Sequence, residues 1–364
     1  MTATCNVLLY AIAGDPGEHK RVTDAISDMH DALTTDQCNI AVQLHARSKT
    51  TRYWISRGHE VQKEVLPTVA DASEPPSLTR FLNAANQTFP ARSSALVVWA
   101  HGRGLDNVHD HAQKKPHRGI GPDPNTHQFL TNAGLKQAIA ASARRRVELL
   151  ALNACWMGCF EVEYELRSVS DVQIASQVYA TPWPYGAIIA TLAATPDLPA
   201  ERLAKEIVAS VHAEILAGKR KDAVSALRSG PAMDELATAF DTYAKRALPL
   251  IDADWKSVSK SVMVEAQRVD DPYQVDLMSL VHVLGKHDPE ARSAAAAVTS
   301  TYRAMLLANA ASATHPGVQG LSIFCPKSTQ VDLADAYGDT EFRSNSWAQF
   351  LKAFQVKLAS TPIA

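Results

Sequence analysis

Two residue types suited to acyl transfer stand where strand-like runs end. Ala95–Gly104 reads ALVVWAHGRG and Leu149–Gly158 reads LLALNACWMG. Each apolar run stops on a side chain that can move a proton or attack a carbonyl, His101 in the first and Cys155 in the second. In open α/β sheets the chemistry gathers beyond the carboxyl ends of the strands, where loops converge. If the two runs are parallel neighbours, both side chains emerge on one edge. A thiol there gains thiolate character from a nearby imidazolium and from the start of a following helix, which MGCFEVEYEL would form. Gly102 lets the backbone approach a substrate, and Ala154 and Gly158 leave room around the sulfur. The N–H groups of Gly102 and Cys155 can then hold a developing oxyanion. The chemistry expected is acyl transfer at a peptide bond.

The elements that must position this pair follow from periodicity. The first two hundred residues alternate apolar runs with amphipathic stretches, as in a mostly parallel sheet covered by helices. Expected strands are Val7–Ile12, Ile40–His45, Ala95–Ala100, Val147–Leu152 and Val172–Val178. Expected helices are His19–Leu33, Leu78–Thr88 and Gly134–Ala143, the last with Thr131 as N-cap. Tyr53–Leu66 reads as a hairpin turning at Arg57-Gly58. From Pro199 to about Pro316 the pattern shifts to Ala-rich helical periodicity, as in LAKEIVASVHAEIL and ARSAAAAVTSTYRAMLLANA. GLSIFCP, Gly320–Pro326, is strand-like again and most simply returns to the first sheet, and Trp347–Leu358 closes the chain as a helix. The organisation expected is a core over 1–198 holding both reactive residues, a helical elaboration over 199–319, and a returning strand and closing helix over 320–364.

Composition narrows the function. Of 364 residues, 46% are hydrophobic, enough for a large core, and 36 basic against 38 acidic side chains give no field for holding nucleic acid. The apolar stretch near the N-terminus lacks a basic flank and is too short to span a bilayer, so no membrane partner is expected. Five irregularly spaced cysteines suit reduced thiols and a cytoplasmic location. His109, Asp110, His111 and His117 gather in one loop, but no H-E-x-x-H or paired C-x-x-C accompanies them, and no metal is expected. No nucleotide-phosphate motif is present. Cys159, one helical turn from Cys155, reads as structural, and Glu161, Glu163 and Glu165 read as charges solvating a helix start. Trp99, Trp156, Trp183 and Tyr185 are the aromatics placed to wall a substrate groove.

The chain resembles the clostripain-like cysteine peptidases, which share the caspase-type fold. His101 precedes Cys155 by 54 residues, near the caspase spacing of about 50. NVLLYAIAGD is similar to the family's first strand, SLTRFLNAANQTFPARSSALVVWAHGRG to its histidine segment, and LLALNACWMGCFEVEYELRSVSDVQIASQ to its cysteine segment, Glu-containing helix and Ser-Gln strand end. WPY at Trp183–Tyr185, VDLMSLV at Val275–Val281 and GLSIFCP follow in family order. The resemblance implies an α/β, caspase-like three-layer sandwich with a C-terminal helical elaboration. It implies a cysteine endopeptidase acting on a protein or peptide substrate through a thioester, with Cys155 as nucleophile, His101 as general base and acid, and Gly102 and Cys155 as the oxyanion hole. Asn153, Ser176, Trp183 and Tyr185 fall at its substrate-binding positions, and Glu161 at a position that braces the site. No organic cofactor is implied; calcium is used by some members.

Two departures carry information. The family's acid two residues before the nucleophile, which helps recognise Arg or Lys, is Asn153 here, and around Trp-Pro-Tyr, where the family commonly has Gly residues and a following Asp, the chain reads YATPWPYG with Gly186. An uncharged residue before the scissile bond is therefore expected. Activation by cleavage in the 103–127 loop would have Lys114, Lys115 and Arg118 as sites, though Lys115 precedes Pro116. LNACWMG is also similar to the CHAT peptidases, often switched on by a partner, which implies an activator protein. The competing reading is a catalytically silent caspase-fold scaffold binding a partner through its helical region.

Overall fold

The computed structural model describes residues 3–105, 119–329, 331–338 and 340–361. His109, Asp110, His111, Lys114, Lys115, His117 and Arg118 lie outside the described residues. The strands are β1 (Ala3–Ile12), β2 (Cys38–Ala46), β3 (Lys49–Ile55), β4 (Gln62–Val65), β5 (Ala91–Trp99), β6 (His101–Gly102), β7 (Ile120–Gly121), β8 (Val147–Asn153), β9 (Ser170–Ala175), β10 (Ala223–Arg228), β11 (Gln274–Asp276), β12 (Leu306–Ala311) and β13 (Ser322–Phe324). Nine of them form one sheet in the order β12-β10-β9-β8-β5-β1-β2-β3-β4. The five central strands, β9 to β2, run parallel, and antiparallel strands flank them on both sides.

Strand β1 is buried along its whole length because both its faces are covered. Val7, Leu9 and Ala11 enter one core with helices α1 (Pro16–Ala32), α5 (Tyr185–Ala194) and α6 (Ala200–Leu216). Leu8, Tyr10 and Ile12 enter the other with α2 (Pro75–Thr88), α3 (Asn132–Ala140) and α4 (Phe160–Leu166). Helix, sheet and helix make the three layers of the caspase-like sandwich. A third core collects α7 (Pro231–Ala247), Leu277–Leu284, Pro289–Met305 and Ser346–Ser360. Phe160 at the head of α4 belongs to this third core while Val162 and Leu166 belong to the sandwich, so α4 joins the two. No helix among the described residues is long and apolar enough to cross a membrane.

The N-cap read at Thr131 is present: its hydroxyl accepts from Gly134 N at 3.0 Å. Thr131→Ala should lower unfolding stability by about 1 kcal/mol in a urea titration, the ordinary value of such a cap. The hairpin is also present, as β3 and β4.

Four expectations are corrected. Ala-rich 199–319 is not wholly helical: β10 and β12 join the main sheet, and the helix expected across LLANA stops at Met305. Pairing with a sheet edge overrides helix propensity there. GLSIFCP does not return to the main sheet; β13 pairs antiparallel with β11 as a separate ladder. Glu161, Glu163 and Glu165 are buried, not solvated, because the C-terminal segment covers α4. Cys5 and Cys38 are not thiols but a disulfide: they are direct register partners on β1 and β2, a pairing that their separation of 33 residues does not announce. Cys155, Cys159 and Cys325 are free.

Candidate active site

The register of the parallel strands builds the site. Ala11 pairs with Trp99, and Trp99 with Asn153, so the ends of β1, β5 and β8 form one row across the sheet. Two residues past that row stand His101 and Cys155. The sequence spacing of the pair equals the register offset of their strands, which is why both emerge on the same edge.

His101 and Gly102 pair with Gly121 and Ile120 in the short β6–β7 ladder, and Arg103 N donates to Gly119 O at 3.0 Å. The imidazole is 60% exposed, and its Nε2 lies 2.7 Å from Glu18 Oε1. The Glu18 side chain is only 15% exposed, and its other oxygen accepts from Gly14 N at 2.6 Å and Asp15 N at 3.3 Å. One carboxylate thus closes the capping box of α1 and grips the histidine. The Glu18 hydrogen bond raises the His101 pKa above its ordinary value, against partial burial, and the same bond lowers that of Glu18.

Cys155 is 6% exposed. Its Sγ accepts from Ala180 N at 3.3 Å. Burial pushes the thiol upward, and the Asp270 charge adds to this; the N–H groups of Ala180, Cys155 and Gly102 oppose it. A Cβ on Gly102 would lie 2.1 Å from Cys155 O and 2.9 Å from Cys155 N, so only glycine allows the two backbones this contact. Trp156, directly after Cys155, holds a left-handed φ of +57°, an uncommon conformation for an aromatic residue.

Three of the four expected substrate-binding residues come together. Asn153 is buried; its Nδ2 donates to Thr181 O at 2.9 Å, and its Oδ1 accepts from Tyr185 OH at 2.9 Å and Trp183 N at 3.3 Å. Tyr185 stacks on Trp99 with centroids 5.3 Å apart. Ser176 is apart from this cluster: its hydroxyl donates to Val178 O at 2.9 Å within its own turn. Glu161 accepts from Cys159 Sγ at 2.8 Å, Tyr337 OH at 2.6 Å and Phe324 N at 3.2 Å, tying the segment after Cys155 to the C-terminal region.

Sequence reasoning missed four residues here. Glu18 was signalled by D-x-x-E at Asp15–Glu18, a capping box that places a carboxylate just beyond β1. Arg220 and Asp222 form a buried bidentate pair, with Nη2 at 2.6 Å and Nε at 3.0 Å from the two carboxylate oxygens. Arg220 also donates to Thr181 O at 3.0 Å and to Pro182 O, and Asp222 accepts from Thr181 N at 3.0 Å. A guanidinium of the chain itself therefore lies beneath the loop that carries the Asn153 partners. Asp270 accepts from Trp156 Nε1 at 2.7 Å and Tyr179 N at 3.0 Å. Among the described residues no group of three or more His, Cys, Asp or Glu could hold a metal ion.

A histidine and a cysteine on adjacent parallel strand ends of a caspase-like sandwich define the class, that of the cysteine peptidases with this fold. The clostripain family model matches residues 10–356, and the chain belongs to that family. Its members' substrates are proteins or peptides. The fold is similar to that of a secreted C11 cysteine protease from Bacteroides thetaiotaomicron in complex with an irreversible peptide inhibitor: TM-score 0.73, 17% identity, 94% of this chain and 99% of that one covered. It is similar also to an inactive zymogen C11 protease from Parabacteroides distasonis, with TM-score 0.70, 19% identity, and 95% and 99% covered. Comparison with curated proteins finds no match.

Proposed function

We infer that this chain is an endopeptidase in which Cys155 Sγ attacks the scissile carbonyl carbon and His101 receives the thiol proton and passes it to the departing amine. The amine leaves with that proton, a thioester remains on Cys155, and water then hydrolyses it with His101 as base. The oxyanion is held by the N–H groups of Gly102 and Cys155, whose backbones touch. The observation that carries the reading is the placement of His101 and Cys155 two residues past one register pair, Trp99 and Asn153. Glu18 on Nε2 leaves Nδ1 as the ring nitrogen for the reaction and keeps the imidazolium favourable once formed.

The residue before the cut is uncharged in this reading. Asn153 spends its amide on Thr181 O, Trp183 N and Tyr185 OH, and Arg220 already places a cation under the same loop. Arg220 and Asp222 already neutralise one another there, so a basic side chain entering would be desolvated without a partner, which is unfavourable. Digestion of a mixed peptide library with mass spectrometry tests this; strict Arg or Lys before each cut would overturn it. Restoring the acid does not restore basic preference: Asn153→Asp loses the donor to Thr181 O and sets two oxygens against each other. Its expected effects are a stability loss of about 1–3 kcal/mol in urea and an unchanged preference in the same library.

A further inference from the structure

The wall of the site that carries Asp270 has the chemistry of a cation receptor. Trp156 follows the nucleophile directly, and Tyr179 precedes Ala180, whose N–H meets Cys155 Sγ, so both rings are one peptide away from groups at the sulfur. The rings stand at 89° with centroids 5.6 Å apart, two walls of a corner. Beside them Asp270 Oδ1 takes the indole N–H, at the edge of that ring, and Oδ2 the Tyr179 backbone N–H, which fixes the carboxylate next to both residues. Both hydrogen-bond donors are neutral groups. His315 Nε2 lies 3.6 Å from Oδ2, yet the Asp270 side chain keeps 29% of its surface exposed. Tyr179 is 57% exposed, a large aromatic kept at the surface beside a reactive thiol.

We propose that Trp156, Tyr179 and Asp270 form a subsite for a Lys or Arg side chain of the substrate, at a position other than the residue before the scissile bond. The proposal rests on the endopeptidase reading above. Ring faces attract a cation through their quadrupoles, and the carboxylate fixed beside the two rings supplies the counter-charge. Asn153 hydrogen-bonds to Thr181, Trp183 and Tyr185 and to none of the three corner residues. Occupancy also acts on the nucleophile. The Asp270 charge opposes thiolate formation at Cys155, so a bound cation that neutralises it favours the reactive form. Recognition and activation are then coupled through one carboxylate.

The test uses electrophilic peptides sharing one reactive group and one uncharged residue at the cleaved position. Each carries either Lys or norleucine at one flanking position, and the second-order rate of Cys155 labelling is measured at low and high salt. In the native chain, Lys at one flanking position should raise the rate about tenfold at low salt, and less at high salt. In Asp270→Asn that advantage should fall to parity, while the norleucine probe reacts as fast as before or faster, because a negative charge has left the sulfur's surroundings. Tyr179→Ala, at an exposed position, should lose part of the advantage with the norleucine rate unchanged. Equal Lys and norleucine rates at every position overturn the subsite, as does a Lys advantage that survives Asp270→Asn. A collapse of the norleucine rate in Asp270→Asn overturns it too, since the carboxylate would then only hold the loop. No labelling by any probe removes the endopeptidase reading and the subsite with it, an outcome distinct from equal, measurable rates.

Discussion

Cys155→Ala should lower peptide hydrolysis by about 10⁵-fold or more, His101→Ala nearly as much, and Glu18→Gln roughly a hundredfold. The order follows from what each group does. Without the sulfur there is no acyl-enzyme. Without the imidazole the thiol has no base, and its raised pKa leaves little thiolate at neutral pH. The two residues act as a unit, so removing both should cost little more than removing Cys155 alone. Glutamine at position 18 can still accept from Nε2, so the tautomer survives while the charge is lost. The pH profile separates this from simple misfolding. Glu18 raises the His101 pKa, so in the native chain the free imidazole needed as base appears only above that raised value. With the carboxylate gone, the imidazole loses its proton at lower pH, and the acid limb of kcat/KM should move to lower pH even as the maximum falls. An acid limb that stays in place would remove Glu18 from the mechanism, because a residue that only caps α1 would lower activity without moving it.

The strand ends were legible because they depend on local order. Parallel strands buried on both faces read as continuous apolar runs, and β5 and β8 do. Their carboxyl ends follow directly, and with them His101 and Cys155. What was not legible lies at long separation. Glu18 meets His101 through the turn from β1 into α1, and D-x-x-E announces the helix start without announcing what else the carboxylate touches. Arg220 and Asp270 sit inside a stretch whose alanines carry helical periodicity, so nothing local directs them to the edge that carries His101 and Cys155. β12 follows the helix Pro289–Met305 without a Gly or Pro to mark the change, and its partner β10 lies about eighty residues earlier. The buried glutamates show the same limit: Glu161 is satisfied by Phe324 and Tyr337, and a side chain's solvation is decided by partners that composition does not reveal.

Gly102→Ala should lower kcat by about 10²–10³-fold while leaving the thiol reactive toward a small alkylating agent. The added Cβ would stand 2.1 Å from Cys155 O, 2.9 Å from Cys155 N and 3.0 Å from Ala154 Cβ. These are backbone atoms and a methyl at the end of a buried strand, so no flexible side chain can swing aside. Relief requires β6 and the Cys155 segment to separate, and the two N–H groups assigned to the oxyanion move apart with them. Overpacking of this kind also costs about 1–3 kcal/mol of stability, which a urea titration would register. The alkylation control distinguishes the two effects. Iodoacetamide transfers a carbon to sulfur without forming an oxyanion, so it reports the thiol and its histidine alone. A misaligned oxyanion hole predicts slow peptide hydrolysis beside near-native alkylation. Loss of both in equal measure would mean that the methyl had displaced the nucleophile itself, and the assignment of the Gly102 N–H to the oxyanion would fall. Gly58→Ala supplies the reference for glycine replacement as such: that residue has φ +71° and no atom near its absent Cβ. It should cost stability through backbone strain alone and leave both rates unchanged, because the turn lies in the β3–β4 hairpin at the far edge of the sheet from β5.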